Sequence, residues 1–157
     1  MSRRAAGELD RVCLHEYAHL AAARAFGACG FVRIVRIASA DARDRFCGAF
    51  QMHGTLDERE WRVVALAGTL AEWLAVAPDL RHEDALARLR AHDALSLADA
   101  ALAAGHDGED VRRCLVLLRG AWSAMMQEAA EHAETVRSAW QCVDVGRTPI
   151  PAMTMSY

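Results

Sequence analysis

The sequence predicts a predominantly helical α+β fold, in which a long helix and a small pair of β-strands precede a bundle of helices. Three observations favour this class. Hydrophobic residues make up 54% of the chain, and alanine is the commonest of them. Aromatic residues make up only 6% of the chain. Hydrophobic positions recur at helical spacing along most of the chain. Alternation with a period of two is confined to the stretch between residues 31 and 52.

The first helix is predicted from Glu8 to Phe26, because no proline interrupts the run and Gly27 stands where a C-terminal glycine stop is expected. Alternating hydrophobic residues over 31–37 and 46–52 then predict a β-hairpin or meander, with a turn at 41–44.

The remaining elements are predicted to be helices. The first begins at Leu56, with Asp57 near its start, and is stopped by Pro78. An amphipathic segment covers 79–95, and a short helix over 96–105 opens with the N-terminal signature Ser-x-x-Asp. Residues 107–140 predict one long helix or a broken pair. The length of 157 residues suits a single domain, which we expect to cover 1–142, with a loose tail over 143–157.

Charge and composition exclude some functions. A net charge of -3 argues against a nucleic-acid partner. No apolar run reaches the 18 or so residues that a membrane span needs, and no signal-peptide core follows the basic start. The five cysteines are an odd number without C-x-x-C spacing, which indicates reduced thiols. We therefore expect a cytoplasmic protein with no membrane partner, and the sequence leaves the oligomeric state open.

The motif that indicates chemistry is His15-Glu16-Tyr17-Ala18-His19, an H-E-x-x-H sequence inside the first helix. Residues four apart lie one turn above each other, so His15 and His19 can bind one ion between them. Glu16 is rotated by about 100° and is expected to face a bound water molecule. The alternative is a helix with two hydrogen-bonded core histidines and no metal.

In their order, these elements resemble the zinc peptidase domain of the FtsH family of ATP-dependent proteases. The matching features are the motif helix ending in Phe26-Gly27, the strand pair, and the helical segment Ala-Gly-Thr-Leu-Ala-Glu at 67–72. Ala18 departs from the family, which has glycine there. The phosphate-binding loop of the ATPase and the membrane anchor have no counterpart in this sequence, so the resemblance implies a stand-alone peptidase domain.

A catalytic zinc needs a third protein ligand, since it normally takes three and leaves one position for water. The resemblance implies an aspartate near the start of a later helix, and Asp84, Asp93 and Asp99 all qualify. Asp99 is preferred because Ser96 can cap its helix. Asp84 suits the family spacing better but lies in a charged run, and Asp99 could instead be only a partner of the cap.

Glu72 interrupts an apolar helix and either hydrogen-bonds a ligand imidazole or forms part of the rim. Together these residues predict a zinc-dependent peptidase that acts on a peptide or protein substrate, with Glu16 as general base. The alternative function is a non-catalytic zinc-binding interaction or regulatory module. A closed structural site would have four protein ligands and would not need Glu16, which favours the enzyme.

Overall fold

Five helices and two strands follow one another in the computed structural model, which describes residues 3–37 and 45–143. They are α1 (Arg3–Ala25), β1 (Cys29–Ile37), β2 (Arg45–His53), α2 (Glu58–Val76), α3 (His82–Ala91), α4 (Leu97–Leu102) and α5 (Gly108–Val143). The fold is therefore α+β and mostly helical, with a small antiparallel hairpin before the later helices, as predicted.

Helix α1 lies at the centre of the fold and contacts α2, α5 and both strands. It begins at Arg3 rather than at the predicted Glu8, so Gly7 is inside the helix. Gly7 is exposed, and a Cβ built there would meet no atom within 4 Å outside the backbone of α1. The predicted stop is confirmed, because Gly27 has a φ of 80°, in the left-handed region that favours glycine.

The two strands pair antiparallel, with Val32 opposite Phe50 and Ile37 opposite Arg45. One face of the sheet is buried and packs on α1; it includes Val32, Ile34 and Phe46. The other face is exposed. The alternation of hydrophobic residues along the strands therefore corresponds to the alternation between the face that packs on α1 and the exposed face. The predicted turn at 41–44 falls outside the described residues.

Helix α2 packs against both α1 and α5. Its start is fixed by a capping box, in which the Asp57 carboxylate accepts from the Glu60 amide at 2.8 Å and Glu60 accepts from the Asp57 amide at 3.0 Å. The helix ends before Pro78, as predicted. Buried Asp110 on α5 accepts hydrogen bonds from Arg59 and Arg62, which joins the first turns of α2 to α5.

The later helices follow the predicted segments closely. Residues 79–95 contain α3, and Ser96 caps α4 by accepting from the Asp99 amide. Helix α5 is one continuous helix of 36 residues, rather than a broken pair. Of the tail predicted over 143–157, Val143 belongs to α5, and 144–157 lie outside the described residues. Within the described ranges, no helix combines the length and apolar character of a transmembrane segment.

Candidate metal centre

Three potential metal ligands meet where the side chain of Asp99 on α4 approaches the middle of α1. One nitrogen each from His15 and His19 and one oxygen from Asp99 lie within 4.8 Å of one another. His15 Nε2 is 3.5 Å from Asp99 Oδ2, and His19 Nε2 is 3.6 Å from Asp99 Oδ1. In the part of the chain that the structure describes, no other group of His, Cys, Asp or Glu has this geometry.

The second nitrogen of each imidazole is already engaged. His15 Nδ1 lies 2.7 Å from Glu72 Oε1, and His19 Nδ1 lies 2.7 Å from the carbonyl oxygen of Val64. An ionised carboxylate and a carbonyl can only accept hydrogen bonds, so both Nδ1 atoms carry the proton. Both Nε2 atoms therefore present a lone pair toward Asp99 when the rings are neutral.

Two nitrogen lone pairs facing a carboxylate repel one another unless a positive charge lies between them. The raised pKa of His15 agrees with this preference for a positive charge. Burial lowers it, but the hydrogen bonds with Asp99 and Glu72 outweigh burial and raise the pKa to about 9. The pKa of His19 is lowered by burial and by the neighbouring His15. The group thus favours a cation at this point, which can be a proton or a metal ion.

Asp99 is both a partner of the helix cap and a neighbour of the histidines. The Ser96 hydroxyl accepts from the Asp99 amide at 3.1 Å and donates to Asp99 Oδ2 at 2.7 Å. Burial raises the pKa of Asp99, but His15, His19 and Ser96 lower it more, so the carboxylate is ionised. The cap therefore holds the carboxylate toward α1 instead of excluding it from the site. Asp84 and Asp93 are exposed and are not part of the group.

Glu72 extends the network behind His15. Its Oε1 accepts from His15, and its Oε2 accepts from Arg11 at 3.3 Å. Burial raises the pKa of Glu72, but the hydrogen bond from His15 and the charge of Arg11 lower it below its ordinary value. A charged acceptor at Nδ1 orients the ring and makes Nε2 a stronger donor to a metal. This geometry corresponds to the first of the two roles that the sequence suggested for Glu72.

The close approach of α2 to His15 depends on Gly68. A Cβ at this position would lie 2.4 Å from His15 Nε2 and 2.6 Å from both carbons beside it. These nearly equal distances put the Cβ over the face of the ring, rather than along the nitrogen lone pair. Gly68 therefore lets the backbone of α2 cover the imidazole and leaves the metal-facing direction of Nε2 free.

Glu16 lies next to β2, whereas Glu72 reaches His15 from α2. Its carboxylate accepts a hydrogen bond from the Phe50 amide, and its side chain is close to Gly48. Burial, opposed by His15 and the Phe50 amide and supported by the charge of Asp99, raises the pKa of Glu16 to about 7. This carboxylate therefore holds a proton more readily than a surface glutamate does.

Sequence reasoning did not identify the Val64 carbonyl, Gly48 or Phe50 as parts of this site. A backbone carbonyl has no sequence signature. A glycine inside a strand, however, often marks a close approach of another group, and Gly48 carries that signal. Tyr17 is buried, and its hydroxyl lies 3.2 Å from the buried His132 on α5, away from the candidate ligands.

Comparison with known proteins gives no family for this chain, because neither the protein-family models nor the curated proteins contain a match.

Proposed function

We propose that this protein is a zinc-dependent peptidase, similar in its catalytic domain to the FtsH-type proteases. The observation that carries the proposal is the convergence of Asp99 on the two histidines of the H-E-x-x-H helix, with Glu16 next to His15. The order of motif helix, strand pair, glycine-containing helix and aspartate also supports it.

The donor set suits zinc. Two imidazole nitrogens and a carboxylate oxygen make up the ligands of many hydrolytic zinc sites, which keep a fourth position open. Ligand atoms around a tetrahedral zinc lie about 3.3 Å apart. Here the three ligand atoms lie within 4.8 Å of one another, with Asp99 Oδ2 3.5 Å from His15 Nε2 and Asp99 Oδ1 3.6 Å from His19 Nε2. His15, His19 and Asp99 would hold the metal, and Glu72 would orient His15.

The chemistry divides between the metal and the chain. Zinc at this position would acidify a water molecule and polarise the carbonyl group of a peptide bond. Glu16 accepts the proton of the attacking water on its carboxylate and returns it to the leaving nitrogen. The helix fixes both functions relative to each other, because Glu16 directly follows the ligand His15.

The protein is proposed to act on a peptide or protein substrate in the cytoplasm. The compartment is inferred from thiol chemistry, since reduced cysteines are typical of reducing compartments. Four cysteines whose side chains the structure describes are free, namely Cys13, Cys29, Cys47 and Cys114, and Cys29 and Cys47 are exposed.

Glu16→Gln tests the proposal, because glutamine keeps the size and polarity of the side chain but cannot take up the proton. We expect the variant to bind one zinc ion per chain and to cleave an unfolded, fluorescently labelled test protein on the order of 100-fold or more slowly than the wild type. Glu8→Gln is the matched control, since Glu8 also lies on α1 and accepts from a β2 amide, that of Phe46. Its cleavage rate should stay close to that of the wild type.

Equal cleavage by the wild type and Glu16→Gln would contradict the role of Glu16. If the zinc-loaded wild type cleaves no unfolded protein or peptide, the peptidase proposal fails and the non-catalytic zinc-binding module takes its place.

A further inference from the structure

Strand β2 passes so close to Glu16 that it leaves no room for a side chain at Gly48. A Cβ built there would lie 2.3 Å from Glu16 Cγ, 2.5 Å from Oε1 and 2.7 Å from Cδ. Carbon atoms in proteins do not approach this closely without bonding, so one of the two groups would have to move. The backbone of Gly48 is an ordinary strand conformation, and its φ is not positive. Space, and not backbone geometry, therefore requires glycine at this position.

The neighbours of Gly48 complete the surroundings of the carboxylate. Phe46, Gly48 and Phe50 alternate along β2 and so share the face that packs on α1. The Phe50 amide donates to the Glu16 carboxylate. The Phe50 ring stacks on His19, with ring centroids 6.2 Å apart and an angle of 15° between the planes. One strand thus contacts both Glu16 and a candidate metal ligand.

A glutamate side chain has three rotatable bonds, and a general base works only when its carboxylate stays within hydrogen-bond reach of the proton that it accepts. A catalytic group must be held within about 0.5 Å of its productive position by the residues around it. The backbone at Gly48 restrains the Glu16 side chain from one side, and the amide of Phe50 restrains its carboxylate end. Glycine otherwise weakens a strand relative to alanine, so the sequence gives up strand stability at this point.

We propose that Gly48 is a positioning residue for Glu16: its missing side chain forms the slot in β2 that holds the carboxylate in place. The catalytic consequence of this inference rests on the proposed function, whereas the contact between the two residues does not.

The test is a double-mutant cycle of the wild type, Gly48→Ala, Glu16→Ala and the double variant, all loaded with zinc. Gly48→Ala alone should lower the melting temperature, because the new methyl group displaces Glu16. In the Glu16→Ala background the space is open, so the same change should leave the melting temperature unchanged or raise it. Gly7→Ala is the control, since a Cβ at Gly7 meets no atom within 4 Å.

Activity and NMR report on the position of the carboxylate itself. Gly48→Ala should keep one zinc per chain and a nearly unchanged KM, while kcat falls by about 100-fold, as expected for a displaced catalytic group. The amide resonance of Phe50 should shift in Gly48→Ala in the same direction as in Glu16→Ala, because both changes remove its hydrogen bond. Gly7→Ala should change neither quantity.

Several outcomes would overturn the inference. Equal losses of melting temperature in both backgrounds would make Gly48 a structural residue of the strand only, and so would wild-type turnover in Gly48→Ala. If Gly48→Ala does not fold, the double variant must still fold, and its failure would also overturn the inference. If no protein of the set cleaves any substrate, the proposed function fails, but an unshifted Phe50 amide in Gly48→Ala would still refute the positioning role.

Discussion

Each histidine of the site is oriented by a hydrogen bond from Nδ1, the ring nitrogen that does not face Asp99. His15 Nδ1 bonds a carboxylate, Glu72, whereas His19 Nδ1 bonds the neutral carbonyl of Val64. Both hydrogen bonds are 2.7 Å long, but only the one from His15 has a charged acceptor. His15 carries the charge-assisted bond and is the stronger candidate donor to a metal.

Glu72→Ala should accordingly weaken zinc binding by about 10- to 100-fold, the usual effect of losing an acceptor behind a histidine ligand. Glu72→Gln should lose less zinc affinity than Glu72→Ala, because the amide oxygen of glutamine can still accept the hydrogen bond from His15 Nδ1. The measurement is a competition titration of zinc against a chromogenic chelator. Glu128→Ala is the matched control, since Glu128 also forms an ion pair, with Arg24 at 2.9 Å, but does not contact the site.

Zinc affinity in Glu72→Ala equal to that of Glu128→Ala would contradict this role. Glu72 would then be a rim carboxylate that lies near His15 without supporting it.

Among the elements, α2 contributes most to the surroundings of the ligands without supplying one. Val64, Gly68 and Glu72 are spaced by four, so they lie along one face of α2. The first accepts from His19, the second lets the helix approach His15, and the third accepts from His15. A rotation of α2 would therefore disturb both histidines together.

The capping box at Asp57 holds the start of this helix, and its loss should be measurable. Asp57→Ala removes the acceptor for the Glu60 amide and should lower the free energy of unfolding by about 1 kcal/mol. Asp57→Asn keeps an oxygen acceptor and should stay within a few tenths of a kcal/mol of the wild type. Urea denaturation of the zinc-free proteins gives both values. Identical midpoints for Asp57→Ala and the wild type would show that the cap does not stabilise α2.

At the scale of the whole molecule, the sequence predicted the elements well because each has a local cause. Pro78 and Gly27 stop helices, Asp57 and Ser96 start them, and alternation over 31–37 marks a strand. The start of α1 was predicted too late. Gly7 resembles a boundary in the sequence, but an exposed glycine can continue a helix at modest cost.

The candidate site was predictable where spacing alone brings residues together, as for His15 and His19. Asp99 needed a further argument from the Ser96 cap, because three aspartates occupied similar local contexts. Gly48 and the Val64 carbonyl could not be found in the same way. Their contacts depend on how β2 and α2 pack against α1, and packing between distant segments has no local signature.

The central claim is that the fold brings Asp99 to the two histidines as the third zinc ligand. Zinc titration of Asp99→Ala, Asp93→Ala and Asp84→Ala tests it most directly. We predict that Asp99→Ala weakens zinc binding about 100-fold or more, beyond the range typical of an outer partner. Asp93→Ala and Asp84→Ala should bind zinc like the wild type. Retention of zinc by Asp99→Ala, with its loss in either of the other two aspartate variants, would contradict the account.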